Sequence, residues 1–402
     1  MKNKILFTKR AILSLTLIFT LAFTACNSDN NAYNEQNKEN SVYNEQSKEN
    51  DITNQNKENG AINQNNKNSE NEDNEIKDAE KELKVEDFFP FQKDVYMKYK
   101  GIGNEYAEYE TYVEFINGDL MQIRNLNPGT NAVMVYEIKD GELRLNFIKG
   151  EVYYRHDFTN VKDDDRLEIL IKEPIKKGTA WTLKDGTKRS ITEVNKEIST
   201  PLGNFLALEI TSENERSIIK DYYVKDIGHV KRIFTLKDGD YTVTSELEKI
   251  EKGVPLKETI KFFYPDFLND RLVYINKEVE LYTNQDIKSV IEEKLKNVPE
   301  NSQLTKPLSE NTRLLYIIIE DPMSDIIDHL VVDFSKELVT EMNAGSSLEG
   351  MILQSITNTF CRYYQTAQVQ ITLEGNLYES GHFLLKPDEY FTVDLENSVE
   401  YK

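Results

Sequence analysis

Cys26 is the residue with the clearest chemical role, because of the segment that precedes it. The first ten residues carry four cationic side chains, and residues 11–22 are largely apolar. Phe23, Thr24 and Ala25 lead into Cys26, and the chain turns polar directly after it. A charged start, an apolar stretch and a small residue before the cleavage point make up a secretory signal. A cysteine at the first mature position is typical of bacterial lipoproteins, so we expect export and acylation of the Cys26 thiol.

Two alternatives remain for this segment: a retained membrane anchor, or a signal peptide that is cleaved without lipid attachment. Twelve helical residues cover roughly 18 Å, whereas the hydrocarbon core of a bilayer is roughly 30 Å thick. Extending the helix back to residue 5 would bury Lys9 and Arg10, which is costly. Although Phe23 stands where lipoprotein signals usually carry Leu, we favour a lipid-anchored, extracytoplasmic protein at the outer face of the cytoplasmic membrane.

Other residue types that perform chemistry are scattered along the chain. Zinc sites usually need His or Cys ligands at short helical spacings, and the His residues show no such pairing. Asp163, Asp164 and Asp165 could bind a hard cation, but an acidic run in so acidic a chain is more often only solvated. Cys361 is expected to be a small buried hydrophobe. We therefore predict a protein that is not an enzyme and has no cofactor, metal or catalytic residues; its His residues are His156, His229, His329 and His382.

The composition limits the classes of partner. The 402 residues include 49 Lys or Arg and 70 Asp or Glu, which gives a formal net charge of −21. A surface this acidic repels nucleic acids and anionic lipid headgroups. We expect no nucleic-acid partner, and we expect membrane contact to come from the lipid alone.

Composition and pattern divide the chain into four segments. Between the signal and the first strand, the chain repeats a ten-residue unit that begins at Tyr33 and again at Tyr43. It holds too few apolar residues to offset the entropy of ordering, so we interpret it as a disordered tether. The predicted segments are a signal peptide (residues 1–25), a lipid-anchored Asn/Gln/Lys/Glu repeat tether (residues 26–84), an antiparallel β domain (residues 85–252) and an α+β domain (residues 253–402).

Alternation of apolar and polar residues predicts antiparallel strands across residues 85–252. Asp-Gly pairs at Asp140, Asp185 and Asp238 fall between alternating runs, and Asp-Gly supplies the positive φ angles of a tight hairpin turn. One face of such a sheet lies in the core and the other in water. A curved sheet, a half-barrel and a sandwich all fit this pattern.

The last segment alternates between helical and strand patterns. Residues 285–296 and 347–363 carry apolar stripes at helical spacing, and Asn284 is a plausible N-cap for the first helix. Residues 313–320 are nearly continuous in apolar side chains, which predicts a buried strand. Residues 368–373 read as a further strand. We expect two helices on one face of a small mixed sheet.

The order of these motifs resembles the GerMN domain of sporulation and spore-germination lipoproteins. The motifs are residues 260–265 (IKFFYP), residues 332–335 (VDFS), a helix over residues 345–360 and residues 369–375 (VQITLEG). The resemblance covers residues 259–395, and residues 322–328 lengthen a turn that is usually short. GerMN domains are similar to the ring-building domains of envelope secretion systems, so the resemblance implies an assembly role without catalysis.

The expected function is therefore a protein-docking or ring-building module of a membrane-anchored surface lipoprotein in sporulation or spore germination. Its partners would be other envelope or sporulation proteins, a further copy of itself included. An exposed edge at residues 368–373 would offer unpaired backbone groups to a partner. A lipid- or ligand-binding pocket in the β domain is the alternative function. The candidate interface residues are Asp333, Gln368, Gln370 and Thr372.

Overall fold

The computed structural model describes residues 82–161 and 167–402. The predicted signal, Cys26 and the tether up to residue 81 lie outside the described residues, as do Asp163, Asp164 and Asp165. Within the described ranges, no helix combines the length and the apolar character needed to cross a bilayer.

The first part of the described chain is a short helix followed by twelve strands. They form one antiparallel sheet, in which the twelfth strand pairs with the first. Asp140 and Gly141 have φ values of 54° and 70°, so the predicted tight turn joins the fourth and fifth strands. The elements are α1 (Val85–Phe88), β1 (Val95–Ile102), β2 (Tyr109–Asn117), β3 (Leu120–Asn127), β4 (Thr130–Lys139), β5 (Glu142–Lys149), β6 (Glu168–Lys172), β7 (Ala180–Thr182), β8 (Lys188–Thr200), β9 (Gly203–Glu213), β10 (Ser217–Val224), β11 (Gly228–Leu236) and β12 (Thr242–Lys252).

The twelve-stranded sheet curves until its two ends nearly meet. β6 and β7 are the terminal strands of the sheet order. The indole Nε1 of Trp181 in β7 donates to the carbonyl oxygen of Ile169 in β6 at 3.0 Å. Nη1 of Arg189 in β8 donates to the same oxygen at 2.6 Å. The predicted antiparallel β segment is thus confirmed, and of the three shapes considered it is a curved, nearly closed sheet.

The segment that enters the sheet fills its concave side. Val85, Phe88 and Phe89 are buried in one hydrophobic cluster with residues of strands from both halves of the sheet, among them Leu143 and Leu208. Strands so far apart in the sheet order share a cluster only where the sheet wraps around it. We call residues 83–91 the N-terminal plug.

Two further sheets and three helices follow. β14 pairs antiparallel with β13 and parallel with β20. β16 pairs antiparallel with β15 and parallel with β17, to which β18 and β19 add. This mixed arrangement confirms the predicted α+β segment. Its elements are β13 (Leu256–Asp266), β14 (Arg271–Leu281), α2 (Ile287–Lys296), β15 (Leu314–Ile319), β16 (Leu330–Phe334), α3 (Glu337–Thr340), α4 (Ser346–Tyr364), β17 (Gln368–Leu373), β18 (Asn376–Leu377), β19 (Phe391–Thr392) and β20 (Ser398–Glu400).

Asn284 does not cap α2, contrary to the prediction. It has a φ of 66°, and its side-chain amide exchanges two hydrogen bonds with the backbone of Ile116 in β2. The N-cap is Asp286, whose Oδ1 accepts from the backbone N–H of Lys288 at 2.8 Å. Asn and Asp are both favoured at the N-cap. Here the side chain of Asn284 is occupied by its hydrogen bonds to β2, so Asp286 caps the helix.

The large sheet and the following elements share one hydrophobic core. Val133 and Phe147 of the large sheet belong to the same buried cluster as Phe262 of β13 and Phe360 of α4. Removing either part would expose this apolar surface to water.

A buried ionic network crosses the same contact. The Arg155 side chain donates to the carbonyl oxygens of Glu114 in β2, Tyr282 and Gln285 at 2.8–3.0 Å. Nε of Arg124 donates to the Glu114 carboxylate at 2.7 Å. Glu114 and both arginines are buried, and the two guanidinium groups share the one carboxylate, with Arg155 Nη1 at 3.5 Å from it. Backbone carbonyl oxygens accept hydrogen bonds from both arginines, which offsets part of the cost of burying their charges. Arg155 thereby joins β2 of the large sheet to the segment before α2.

Glu258 of β13 lies beside this network and should give stability a pH dependence. Burial raises its pKa above the ordinary 4.5, although Arg124 acts in the opposite direction. A carboxyl whose pKa is higher in the folded state binds more protons there, so its contribution to stability falls as the pH rises above about 4.5. The Glu258→Gln variant has no ionisable group at this position, so it does not lose this part of the folding stability as the pH rises. We expect the free energy of unfolding of the variant, relative to wild type, to rise between about pH 4 and pH 7 in urea titrations.

The matched control for Glu258 is Glu278→Gln, in the exposed pair with Lys257 on the neighbouring strand. Its difference from wild type should change little with pH, because exposed pairs contribute little. A flat difference for Glu258→Gln over the same range would contradict the expectation.

Candidate functional site

The sheet formed by β15, β16 and β17 has one buried face and one open face. Val332 and Ile371 point into the core that α4 covers. Because side chains alternate along a strand, their neighbours point the other way. The open face carries Tyr316 and Ile318 of β15, Val331 and Asp333 of β16, and Gln368, Gln370 and Thr372 of β17.

A groove of about 520 Å³ runs over this open face, and we call it the C-terminal groove. Tyr316 is 63% exposed and Ile318 is 45% exposed, which is unusual for large apolar side chains in the middle of a strand. The groove is lined by Leu315, Tyr316, Ile318, Val331, Asp333, Gln370, Thr372, Glu374, Gly375 and Leu377. Three of the four residues predicted at an interface therefore lie together in the groove.

Asp333 is fixed by its own chain. Its Oδ1 accepts from the Thr372 hydroxyl at 2.6 Å and from the backbone N–H of Gly375 at 2.8 Å. Asp333 is only 4% exposed. These bonds fix the turn after β17, so Asp333 has a structural role at the edge of the groove.

The predicted open edge at Gln368–Leu373 is wrong. β17 has β16 on one side and β18 and β19 on the other. Gln370 Nε2 also donates to the carbonyl oxygen of Pro387 at 2.8 Å. β18 and β19 are each two residues long, which is too short for an alternating pattern to indicate the strand that they pair with.

β15 forms one edge of this sheet, since among the described strands it pairs only with β16, and β18 and β19 lie at the other edge. Side chains of α2 cover one end of its outer edge. Lys288 Nζ donates to the Leu315 carbonyl oxygen, and Glu292 accepts from the Leu314 N–H, both at 2.8 Å. The described contacts place no strand beside Ile317, Ile318 and Ile319 on that side.

Sequence reasoning missed Tyr316 and Ile318. The nearly continuous apolar run within residues 313–320 predicted a buried strand, whereas these two side chains face solvent. A run that is apolar on both faces carries no alternation, so its pattern alone cannot identify an exposed face.

The connection between β15 and β16 packs against the large sheet. Lys149 Nζ, at the end of β5, donates to the carbonyl oxygens of Pro322 and Ser324 at 2.8 Å and 2.5 Å. Burial lowers the pKa of Lys149, against the raising effect of Asp325 and Asp321. We call residues 320–328 the acidic loop, since it carries Glu320, Asp321, Asp325 and Asp328.

The remaining chemical candidates have other surroundings. Cys361 is buried in α4, and burial raises the pKa of its thiol to about 12, so the thiolate is scarce at neutral pH. His382 Nδ1 lies 2.6 Å from the carboxylate of Glu349, which also accepts from Tyr378. Among residues 82–161 and 167–402, no three His, Cys, Asp or Glu side chains are grouped as metal ligands would be.

The order from β13 through the groove to β18 matches a known family model over residues 261–379. That family is Germane, described as sporulation and spore germination. The predicted GerMN resemblance is thereby confirmed for this part of the chain, which we call the Germane segment. It contains β15, β16 and β17, and hence the whole lining of the C-terminal groove.

Solved structures give further similarities. The tandem GerMN domains of the sporulation protein GerM from Bacillus subtilis are 18% identical over 36% of this chain, with a TM-score of 0.25; the match spans 47% of that chain. A Bacteroides fragilis protein with a YmcC-like fold is 15% identical over 41% of this chain and 99% of its own, with a TM-score of 0.26. No curated protein sequence matches the chain significantly.

Proposed function

We propose that this protein is a non-enzymatic, membrane-anchored surface lipoprotein whose Germane segment docks other proteins during sporulation or spore germination. The observation that carries the proposal is the C-terminal groove, an open sheet face with Tyr316 and Ile318 exposed inside the family match. Apolar side chains exposed in this way mark interaction surfaces. Ring building with further copies is one form that this docking can take.

Anchoring follows from the first residues of the sequence. Acyl chains on Cys26 would hold the protein at the outer face of the cytoplasmic membrane, and the polar repeat would set its reach. As a random coil, a tether of this length spans about 40 Å between its ends. Docking then occurs at a distance from the bilayer, with other envelope or sporulation proteins as partners.

The alternative function, a lipid- or ligand-binding pocket in the β domain, has less support. The concave side of the large sheet is where such a pocket would lie, and Val85, Phe88 and Phe89 of the N-terminal plug are buried there. A ligand would have to displace these apolar side chains.

Site-specific photocrosslinking tests the docking function. A photoreactive amino acid replaces Tyr316 in the full-length chain, and sporulating and vegetative cells are irradiated. We expect a discrete crosslinked product in sporulating cells.

The matched control places the same amino acid at Leu206, which is 57% exposed on β9 of the large sheet. No product at position 316, or the same products at both positions, would contradict the docking function. Substitution is preferable to deletion here, because deletion would expose the shared core.

Lipid attachment is tested by Cys26→Ser. We expect wild type to partition into the detergent phase of a phase-separation assay and the variant to remain in the aqueous phase, because the variant lacks the acylated thiol. Mass spectrometry of the N-terminal peptide would identify the acyl chains. Cys361→Ala is the control, since it removes the other cysteine and should leave partitioning unchanged. An unmodified residue 26 in the wild-type protein would contradict lipid attachment.

A further inference from the structure

A strip of exposed apolar side chains runs from β15 into the acidic loop. Tyr316 and Ile318 are followed by Met323, which is 43% exposed, and Ile326, which is 70% exposed. Lys149 holds the loop between them through two carbonyl oxygens. The strip is therefore part of a fixed surface, and a group of exposed apolar side chains indicates a contact with another macromolecule.

The strip lies along the edge of a sheet. The outer edge of β15 is covered by Lys288 and Glu292 at Leu314 and Leu315, and the strand continues beyond them to Ile319. An edge strand offers backbone N–H and C=O groups that an extended polypeptide can pair with. The geometry favours an occupant in strand conformation over a helix.

The charge around the strip is negative. Glu320, Asp321, Asp325 and Asp328 lie in the loop, and Glu374 lines the groove. The two nearby lysines are held by backbone carbonyl oxygens, Lys149 by those of the loop and Lys288 by that of Leu315. A second copy of this chain would bring the same acidic groups to the contact, and its own net charge of −21. Like charges facing each other oppose association, whereas a cationic partner would be attracted.

We propose that the outer edge of β15 binds a cationic, extended segment of a partner protein. Its backbone pairs with β15, its apolar side chains pack on Tyr316 and Ile318, and its Lys or Arg side chains face the acidic loop. This inference rests on the proposed docking function and specifies its surface and the chemistry of its partner.

The test uses the purified full-length chain and labelled peptides of about eight residues, a usual strand length. The probe alternates Lys and Val. One comparison peptide alternates Glu and Val, and another is the Lys–Val peptide with an N-methyl group on every residue, which has no backbone N–H left to pair with β15 along either edge. Fluorescence anisotropy should show saturable binding of the Lys–Val peptide alone, weakened by added salt because charge attraction contributes.

The variants locate the binding site. Tyr316→Ser with Ile318→Ser should weaken binding of the Lys–Val peptide about tenfold or more, as loss of two central contacts does. Asp321→Asn with Asp325→Asn should weaken it and reduce its salt dependence. Leu206→Ser, an exposed apolar residue on the large sheet, should leave binding unchanged. Circular dichroism on each variant confirms that the fold is kept.

Three results would overturn the inference. If the Glu–Val peptide bound as tightly as the Lys–Val peptide, the partner would not need to be cationic. If the N-methylated peptide bound as tightly, backbone pairing with β15 would not contribute to binding. Self-association in sedimentation that Tyr316→Ser abolishes would identify a second copy as the occupant. The peptide test and the crosslinking test can fail independently. Crosslinking at position 316 without peptide binding would overturn only the proposed chemistry of the partner. Peptide binding without crosslinking in sporulating cells would overturn only the proposed cellular role.

Discussion

Replacing Arg155 with methionine is expected to lower the free energy of unfolding by about 3–5 kcal/mol, because it breaks a buried ionic network by removing one partner. Without the guanidinium, the carbonyl oxygens of Tyr282 and Gln285 lose their Arg155 donors inside the protein. The Glu114 carboxylate also loses one of its two neighbouring arginines. Urea unfolding followed by circular dichroism gives the measurement.

The control for Arg155 is Arg313→Met, which removes an arginine that is 54% exposed and paired with Glu292. Exposed pairs contribute about 0–1 kcal/mol, so this variant should stay close to wild type. If Arg155→Met also cost less than about 1 kcal/mol, the network would not join the large sheet to the segment before α2 in the way described.

Replacing Phe88 with alanine is the second large effect that we expect, a loss of about 3–5 kcal/mol, because it opens a cavity in the concave side of the large sheet. Phe88 is buried in the N-terminal plug together with Val85, which also donates its backbone N–H to Glu173 at 3.0 Å. The surrounding strands come from both halves of the sheet and cannot all move inward to fill the space. Thermal and urea unfolding should both show the loss.

Phe267→Ala is the matched control, since Phe267 is 44% exposed in the turn between β13 and β14. It should change stability by about 0.5 kcal/mol or less. A small effect of Phe88→Ala, equal to that of Phe267→Ala, would mean that the plug is not part of the folded core. The ligand-pocket alternative would then regain support.

Local patterns predicted the type of most elements, because they depend on neighbouring residues. The Asp140-Gly141 turn and the strands on either side follow from positive φ angles and alternation, which act within a few residues. The helix α4 follows from its apolar stripe. β1, β3, β8 and β10 were not among the predicted strands. In β8 the apolar residues Ile191, Val194 and Ile198 are three and four positions apart, so they do not show the period-two alternation of a strand.

Contacts between distant residues account for what the sequence could not predict. Asn284 bonds to Ile116, 168 positions away, and this contact rather than helix capping decides its conformation. The edge of the C-terminal sheet is β15 and not β17, because two strands that are each two residues long cover β17. The candidate site was therefore found in part: Asp333, Gln370 and Thr372 were named, while Tyr316 and Ile318 became visible only in three dimensions.

The position of the N-terminal plug has a mechanical consequence. The plug begins one residue after the start of the described chain, and the predicted tether precedes it except for residues 83 and 84, which belong to both. A pull on a lipid-held leader would therefore reach Phe88 and Phe89 before any strand of the sheet. The force would act on the hydrophobic cluster inside the sheet, and the plug could detach only if these aromatic rings left that cluster. Resistance to stretching and resistance to unfolding therefore depend on the same side chains.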